Sequence, residues 1–197
     1  MSHRSHIATP PAALLGVLLA ANVWSQVSWT RAMELGIDEL KYPLELAYPD
    51  PAFRDNWHQT MNASHVGWTA DDYRRAHAAM PKVLELAKRC HDAGVRLSIG
   101  TDGTGGGPSF VRELALHVQA GIPPWEVLRL ATSGAAERLG MADRTGSIAS
   151  GLKADIVFLS RNPLDNIEYA GDVDTVVQNG RAYRARALIE MASALAN

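Results

Sequence analysis

Ala93-Gly94-Val95-Arg96-Leu97-Ser98-Ile99-Gly100-Thr101-Asp102-Gly103 is the run that decides the fold. Gly94 is a helix stop, and the residues before it carry an apolar stripe of Val83, Leu84, Leu86, Ala87 and Cys90 at helical spacing. Val95 to Gly100 alternates with period two, which predicts a strand. Its parity sends Val95, Leu97 and Ile99 towards flanking helices and Arg96, Ser98 and Gly100 the other way. A helix from about Val111 to Ala120 follows, so the order helix–strand–loop–helix is one unit of an α/β architecture.

Asp102 sits at the end of that strand, where α/β folds place their reacting groups. A carboxylate there binds a divalent ion or takes a proton from a water. Thr-Asp-Gly is equally ordinary turn chemistry, and spacing alone does not separate the two readings. The Gly-rich stretch Gly103 to Ser109 reads as a loop. It lacks the Gly-Lys-Ser/Thr and G-x-G-x-x-G patterns of a phosphate cradle, so a plain loop above the strand is the better reading.

Further out, Thr69 and Asp72 resemble a capping box at the start of the preceding helix, and Pro81 predicts a kink or restart within it. Pro123-Pro124 opens another helix, with Trp125, Leu128, Ala131, Ala135 and Leu139 on one face and Gly140 closing it. From Gly146 the character turns to β: 154–159, 173–177, the hairpin turn Asn179-Gly180, then 181–183. Residues 185–195 read as a final amphipathic helix. At the other end, Pro10-Pro11 opens an apolar stretch, Ala12 to Ala21, that reads as a buried helix rather than a secretory signal. Residues 36–68 are Pro-punctuated and carry Phe53, Trp57 and Trp68, as a lid-like connection or a packed insertion would.

Composition narrows the function. The 197 residues are 47% hydrophobic and 20% charged with a net charge of −2, enough for a sizeable core and without the clustered basic face of a nucleic-acid binder. No apolar run reaches the roughly 18 residues of a membrane span. A single cysteine, Cys90, excludes an internal disulfide and a Cys-based zinc cluster, which makes the cytoplasm the expected compartment. None of the seven histidines forms H-x-H or H-E-x-x-H. His91 and His117 read as solvated or packing residues inside helices.

From about residue 82 onward the chain resembles the C-terminal portion of the metal-dependent amidohydrolase superfamily, close to its prolidase- and imidazolonepropionase-like branch. The resemblance rests on an ordered series: Ala93-Gly94-Val95 and Gly100-Thr101-Asp102-Gly103; Arg112-Glu113-Leu114 and Ala120-Gly121-Ile122-Pro123-Pro124; Ala131-Thr132, Ala135-Ala136 and Leu139-Gly140; and Gly146-Ser147-Ile148 to Lys153-Ala154-Asp155 with Asn162-Pro163-Leu164. It implies an α/β fold: the C-terminal part of a (β/α)8 TIM barrel over residues 1–145, and C-terminal strands of a small β-sandwich with a tail over 146–197. It also implies hydrolysis of carbon–nitrogen bonds in a small molecule, with a divalent metal, zinc above all, as cofactor. Asp102 is then the expected catalytic and metal-binding residue, with Thr101 and Gly103 shaping its loop and Trp57 and Trp68 as an apolar substrate wall. The family's H-x-H pair, bridging residue and further strand-end histidines have no counterpart here, and a closed barrel takes about 250 residues. The chain is therefore expected to be a fragment that hydrolyses nothing alone. Complementation by an N-terminal half or self-association would supply the rest, with no nucleic-acid or membrane partner. The alternative is a non-catalytic binding or assembly module of the same descent.

Overall fold

The computed structural model describes residues 69–101 and 106–195. The N-terminal helix, the 36–68 connection, Trp57, Trp68, Asp102 and Gly103 lie outside the described residues. Helix α1 spans Ala70–Asp92. The Thr69 hydroxyl accepts from the Asp72 N–H at 3.3 Å while the Thr69 N–H donates to Asp72 Oδ2 at 2.8 Å, which is the expected capping box. Pro81 does not restart the helix, which runs through it. The missing N–H removes one bond, and Met80, Val83 and Leu84 pack with Leu116 on both sides of the proline. Ala87 is buried and Cys90 half-buried, but Leu86 stands 50% exposed, one position off the expected stripe.

Helix α2, Gly106–Gln119, begins five residues before the expected start, so Gly106, Gly107 and Pro108 are helical rather than loop. Proline is tolerated in a first turn, where its N–H would have no partner in any case. The single helix expected after Pro124 is two: α3, Pro124–Ala131, and α4, Ser133–Arg138, broken at Thr132 with φ −124° and ψ −97°. The buried face of α3 also differs from the expected one. Val127 and Leu130 enter the core, whereas Trp125 and Leu139, expected on that face, are 60% and 72% exposed.

Three strands follow: β1 Ile156–Leu159, β2 Val173–Gln178 and β3 Arg181–Arg184, an antiparallel sheet in that order. Val157 pairs with Val176 and Val176 with Tyr183. Asn179 (φ 50°) and Gly180 (φ 76°) make the expected hairpin turn, in which both central residues need positive φ. Helix α5, Ala185–Leu195, closes the described chain on β2 and β3. A 3₁₀ turn, Ile167–Gly171, was not apparent from the sequence. It inserts Ile167 into one core with Ala87, Leu97, Leu114, Ile122, Val127 and Leu130.

The expected strand at 95–100 has no ladder partner among the described residues, so the segment is not part of a sheet there. No described helix is long and apolar enough to cross a membrane. The loop between α4 and β1 depends on Gly146. Its φ is 94°, and a Cβ there would lie 2.5 Å from that of Ala136. Gly146→Ala is expected to cost at least ~3 kcal/mol of unfolding free energy in urea, strain and clash together. Gly151→Ala, with φ 87° and open space around it, should cost only ~1 kcal/mol. Equal losses would contradict this packing of the loop on α4.

Candidate functional site

The segment that leads to Asp102 leaves α1 through Gly94, whose φ of 74° turns the chain. Val95 N–H donates to Cys90 O at 3.0 Å and Gly94 N–H to His91 O at 2.9 Å, satisfying the last helical carbonyls. Beyond the turn, side chains fix the path. Leu97 is 4% exposed in the core, and the partly buried Ile99 packs against the same cluster. Val95, expected on that side, is 37% exposed and stops short of it. On the opposite side Ser98 Oγ accepts a 2.6 Å hydrogen bond from Arg138 Nε. The parity expected of Leu97, Ile99 and Ser98 therefore stands, without a ladder among the described residues. Thr101 is half-buried at the end of this path. Asp102 follows it in sequence, and its side chain lies outside the described residues.

Two polar groups on α2 are buried, and His117 takes the packing role rather than the solvated one. Glu113 and His117 are each 1% exposed. His117 Nδ1 donates to the Glu113 carbonyl oxygen at 2.8 Å, which leaves Nε2 as a lone-pair acceptor. His117 Nε2 and both Glu113 carboxyl oxygens are buried without a hydrogen-bond partner. Burial pushes the Glu113 carboxyl up to about 8, and burial lowers the His117 imidazole against the opposing effect of its backbone bond. Both are neutral near pH 7, so the 3.7 Å between Nδ1 and Glu113 Oε1 is not an ion pair. The signal was available: two polar residues four apart on a helix share the face of buried Leu114 and Leu116.

A metal site does not assemble from these parts. Among the described residues no group of three or more His, Cys, Asp and Glu side chains is placed to hold an ion. Glu113 is protonated and His117 Nδ1 is committed, so this pair is a poor donor set. The described residues do not fit the divalent ion that the resemblance implies. Of the expected site residues, Thr101 alone is among the described ones.

The family model matching this chain is that of the amidohydrolase family, over residues 20–183. The chain is 32% identical over 104 residues to ochratoxinase of Aspergillus niger, covering 52% of this chain and 22% of that protein. Against imidazolonepropionase of Thermoplasma acidophilum it is 37% identical over 105 residues, 50% of this chain and 25% of that one. Among solved structures it is similar to a bottromycin amidohydrolase with a TM-score of 0.63 at 24% identity, covering 91% of this chain and 38% of the other, a likeness of fold. The chain spans about a quarter of the length of these curated relatives.

The buried pair on α2 sets a pH dependence. Unfolded, Glu113 releases its proton near 4.5; folded, it keeps it to about 8, so this group makes stability fall as pH rises between those values. Burial makes the folded His117 imidazole take up a proton less readily than the unfolded one, which does so below 6.5, so its contribution is lost as pH falls under that value. The two slopes oppose below 6.5 and only that of Glu113 acts above it. Stability in urea is expected to decline from pH 6.5 to 8 by at most ~1.4 kcal/mol per pH unit. Glu113→Gln should abolish the decline; an unchanged slope in the variant would contradict the assignment.

Proposed function

The chain belongs to the amidohydrolase family, and on that premise we propose that it forms the C-terminal portion of a hydrolase acting on carbon–nitrogen bonds of a small molecule. The observation that carries this reading is the family match across residues 20–183, which includes the Gly94 turn, the Leu97–Ile99 anchor and Thr101. Within this reading Asp102 is the carboxylate that accepts the proton of the attacking water. Thr101 and Gly103 shape the loop around it, and Trp57 and Trp68 supply an apolar wall for the substrate. Residues 1–145 are the partial barrel and 146–197 the strands of the second, smaller domain.

The relatives' names limit the substrate to a broad class. Ochratoxinase and imidazolonepropionase name different substrates, and the proposal for this chain goes no further than a small amide, dipeptide or cyclic amide. A lone carboxylate falls short of the three or four ligands that a catalytic zinc takes, so any ion would draw its remaining ligands from outside the described residues. The 197-residue chain by itself is proposed to be incompetent.

A second reading is favoured by one observation. Val157 and Phe158 on β1 and Leu188, Ile189 and Met191 on α5 are 44–63% exposed, a spread of apolar side chains over the sheet and its helix. Such surface suits association, as an assembly module would require.

Sequencing the DNA upstream of Met1 separates the two. An in-frame H-x-H followed by further strand-end histidines is expected for the hydrolase, and a frame closed by stop codons would favour the assembly module. In the product of such a longer frame, Asp102→Asn is expected to lower kcat on an amide or dipeptide substrate by roughly 10²–10⁴-fold with little change in KM. Retained turnover in that variant, or turnover by the 197-residue chain alone, would overturn the assignment.

A further inference from the structure

A cavity of about 270 Å³ opens beneath the start of the 95–101 segment, away from its Thr101 end. Its charged lining is His91, Arg96, Glu126, Arg129, Glu137 and Arg138. One carboxylate is already neutralised: Arg129 Nη2 and Nε donate to Glu126 Oε1 and Oε2 at 2.6 and 3.1 Å, and His91 Nε2 lies 3.8 Å from Oε1. The two remaining arginines are not. Arg138 is held rigidly, Nε on Ser98 Oγ at 2.6 Å and Nη2 on the Leu130 carbonyl at 3.2 Å, but both partners are neutral. Arg96 makes no ion pair among the described residues, and Glu137 pairs with neither arginine.

Arg96 and Ser98 share one side of the segment, and residues two apart on an extended chain are about 7 Å apart. The bond from Arg138 to Ser98 therefore brings its guanidinium to the side on which Arg96 stands. The arginines repel one another there. Burial, then the charge of Arg129, lowers the proton affinity of Arg138, Glu137 opposes this, and Arg96 adds to it.

We propose that this cavity binds a compact oxyanion of the phosphate class between Arg96 and Arg138. The chemistry is simple: two guanidiniums reach from different elements, one fixed and one free to close, onto an anion with oxygens on several sides. A monocarboxylate offers one edge and satisfies one of them. The cavity is large enough for a free phosphate or for the phosphate of a small ester. Glu137 sets the affinity low by standing on the same rim. On this segment the described lining runs from Gly94 to Leu97, and the site does not depend on the hydrolase reading.

The test uses the 197-residue chain, with inorganic phosphate and glycerol phosphate titrated at constant ionic strength and Tm as the readout. Phosphate is expected to raise Tm saturably where equivalent chloride does not. Arg96→Gln removes an exposed charge that has no ion pair among the described residues, and it is expected to weaken binding about tenfold. Glu137→Gln should tighten it about threefold, in the opposite direction. Stronger binding of the ester assigns the natural ligand to phosphate esters, and stronger binding of inorganic phosphate assigns it to the free ion. A shift matched by chloride, or one that Arg96→Gln leaves intact, would overturn the proposal; the latter would move the anion elsewhere, for instance to the Gly-rich stretch before α2.

Discussion

Burial of Leu97 is the constraint on which the rest depends. Most extended segments in α/β folds are held by backbone ladders, but among the described residues 95–101 has none. Its position follows from three side-chain and cap interactions instead. The Gly94 turn sets its direction, Leu97 and Ile99 sink into the core under α2 and α3, and Arg138 reaches Ser98 from α4. Side-chain parity does the work that register does in a sheet: with Leu97 inside, Arg96 lines the cavity and Ser98 receives Arg138. Shifting the segment by one residue would bury Arg96 or Ser98 in the core and expose Leu97.

The same core carries a cost. Glu113 and His117 bring three orphaned polar atoms into it, and an unmet buried group costs about 1–3 kcal/mol. Neutrality keeps this tolerable, since a buried charge costs far more than a buried neutral acid or imidazole. The core is nonetheless shared widely. Ile167, from the 3₁₀ turn between β1 and β2, packs with Leu114 of α2 and Val127 of α3, so the sheet region and the helices consolidate one another. An exposed apolar surface on the sheet and α5 remains outside that arrangement.

Local signals were legible in the sequence where one or two residues dictate the backbone. The Thr69–Asp72 cap, the Gly94 stop and the Asn179-Gly180 hairpin all appear as their chemistry requires. Signals that depend on packing were harder to read. Trp125 and Leu139 fit an apolar helical stripe, yet within α3 the buried residues are Val127 and Leu130, and the break at Thr132 ends that helix before Leu139. Gly106 and Pro108 look like loop residues because their propensities are low, but a first turn tolerates both. At the site, the family match supports the resemblance read from the ordered motifs, and Thr101 stands at the end of the anchored segment. Burial of Glu113 and His117 is signalled only by their spacing beside Leu114 and Leu116, because charge and polarity normally mark an exposed face.

Equilibrium unfolding of Leu97→Ala beside Val95→Ala tests the anchoring of this segment most directly. If Leu97 holds the segment to the helices, its truncation costs ~3 kcal/mol, within the range for buried leucines, while truncation of the more exposed Val95 costs under ~1 kcal/mol. Small and equal losses at the two positions would mean that the segment is not seated in the core, and the placement of Arg96, Ser98 and Thr101 would fall with it.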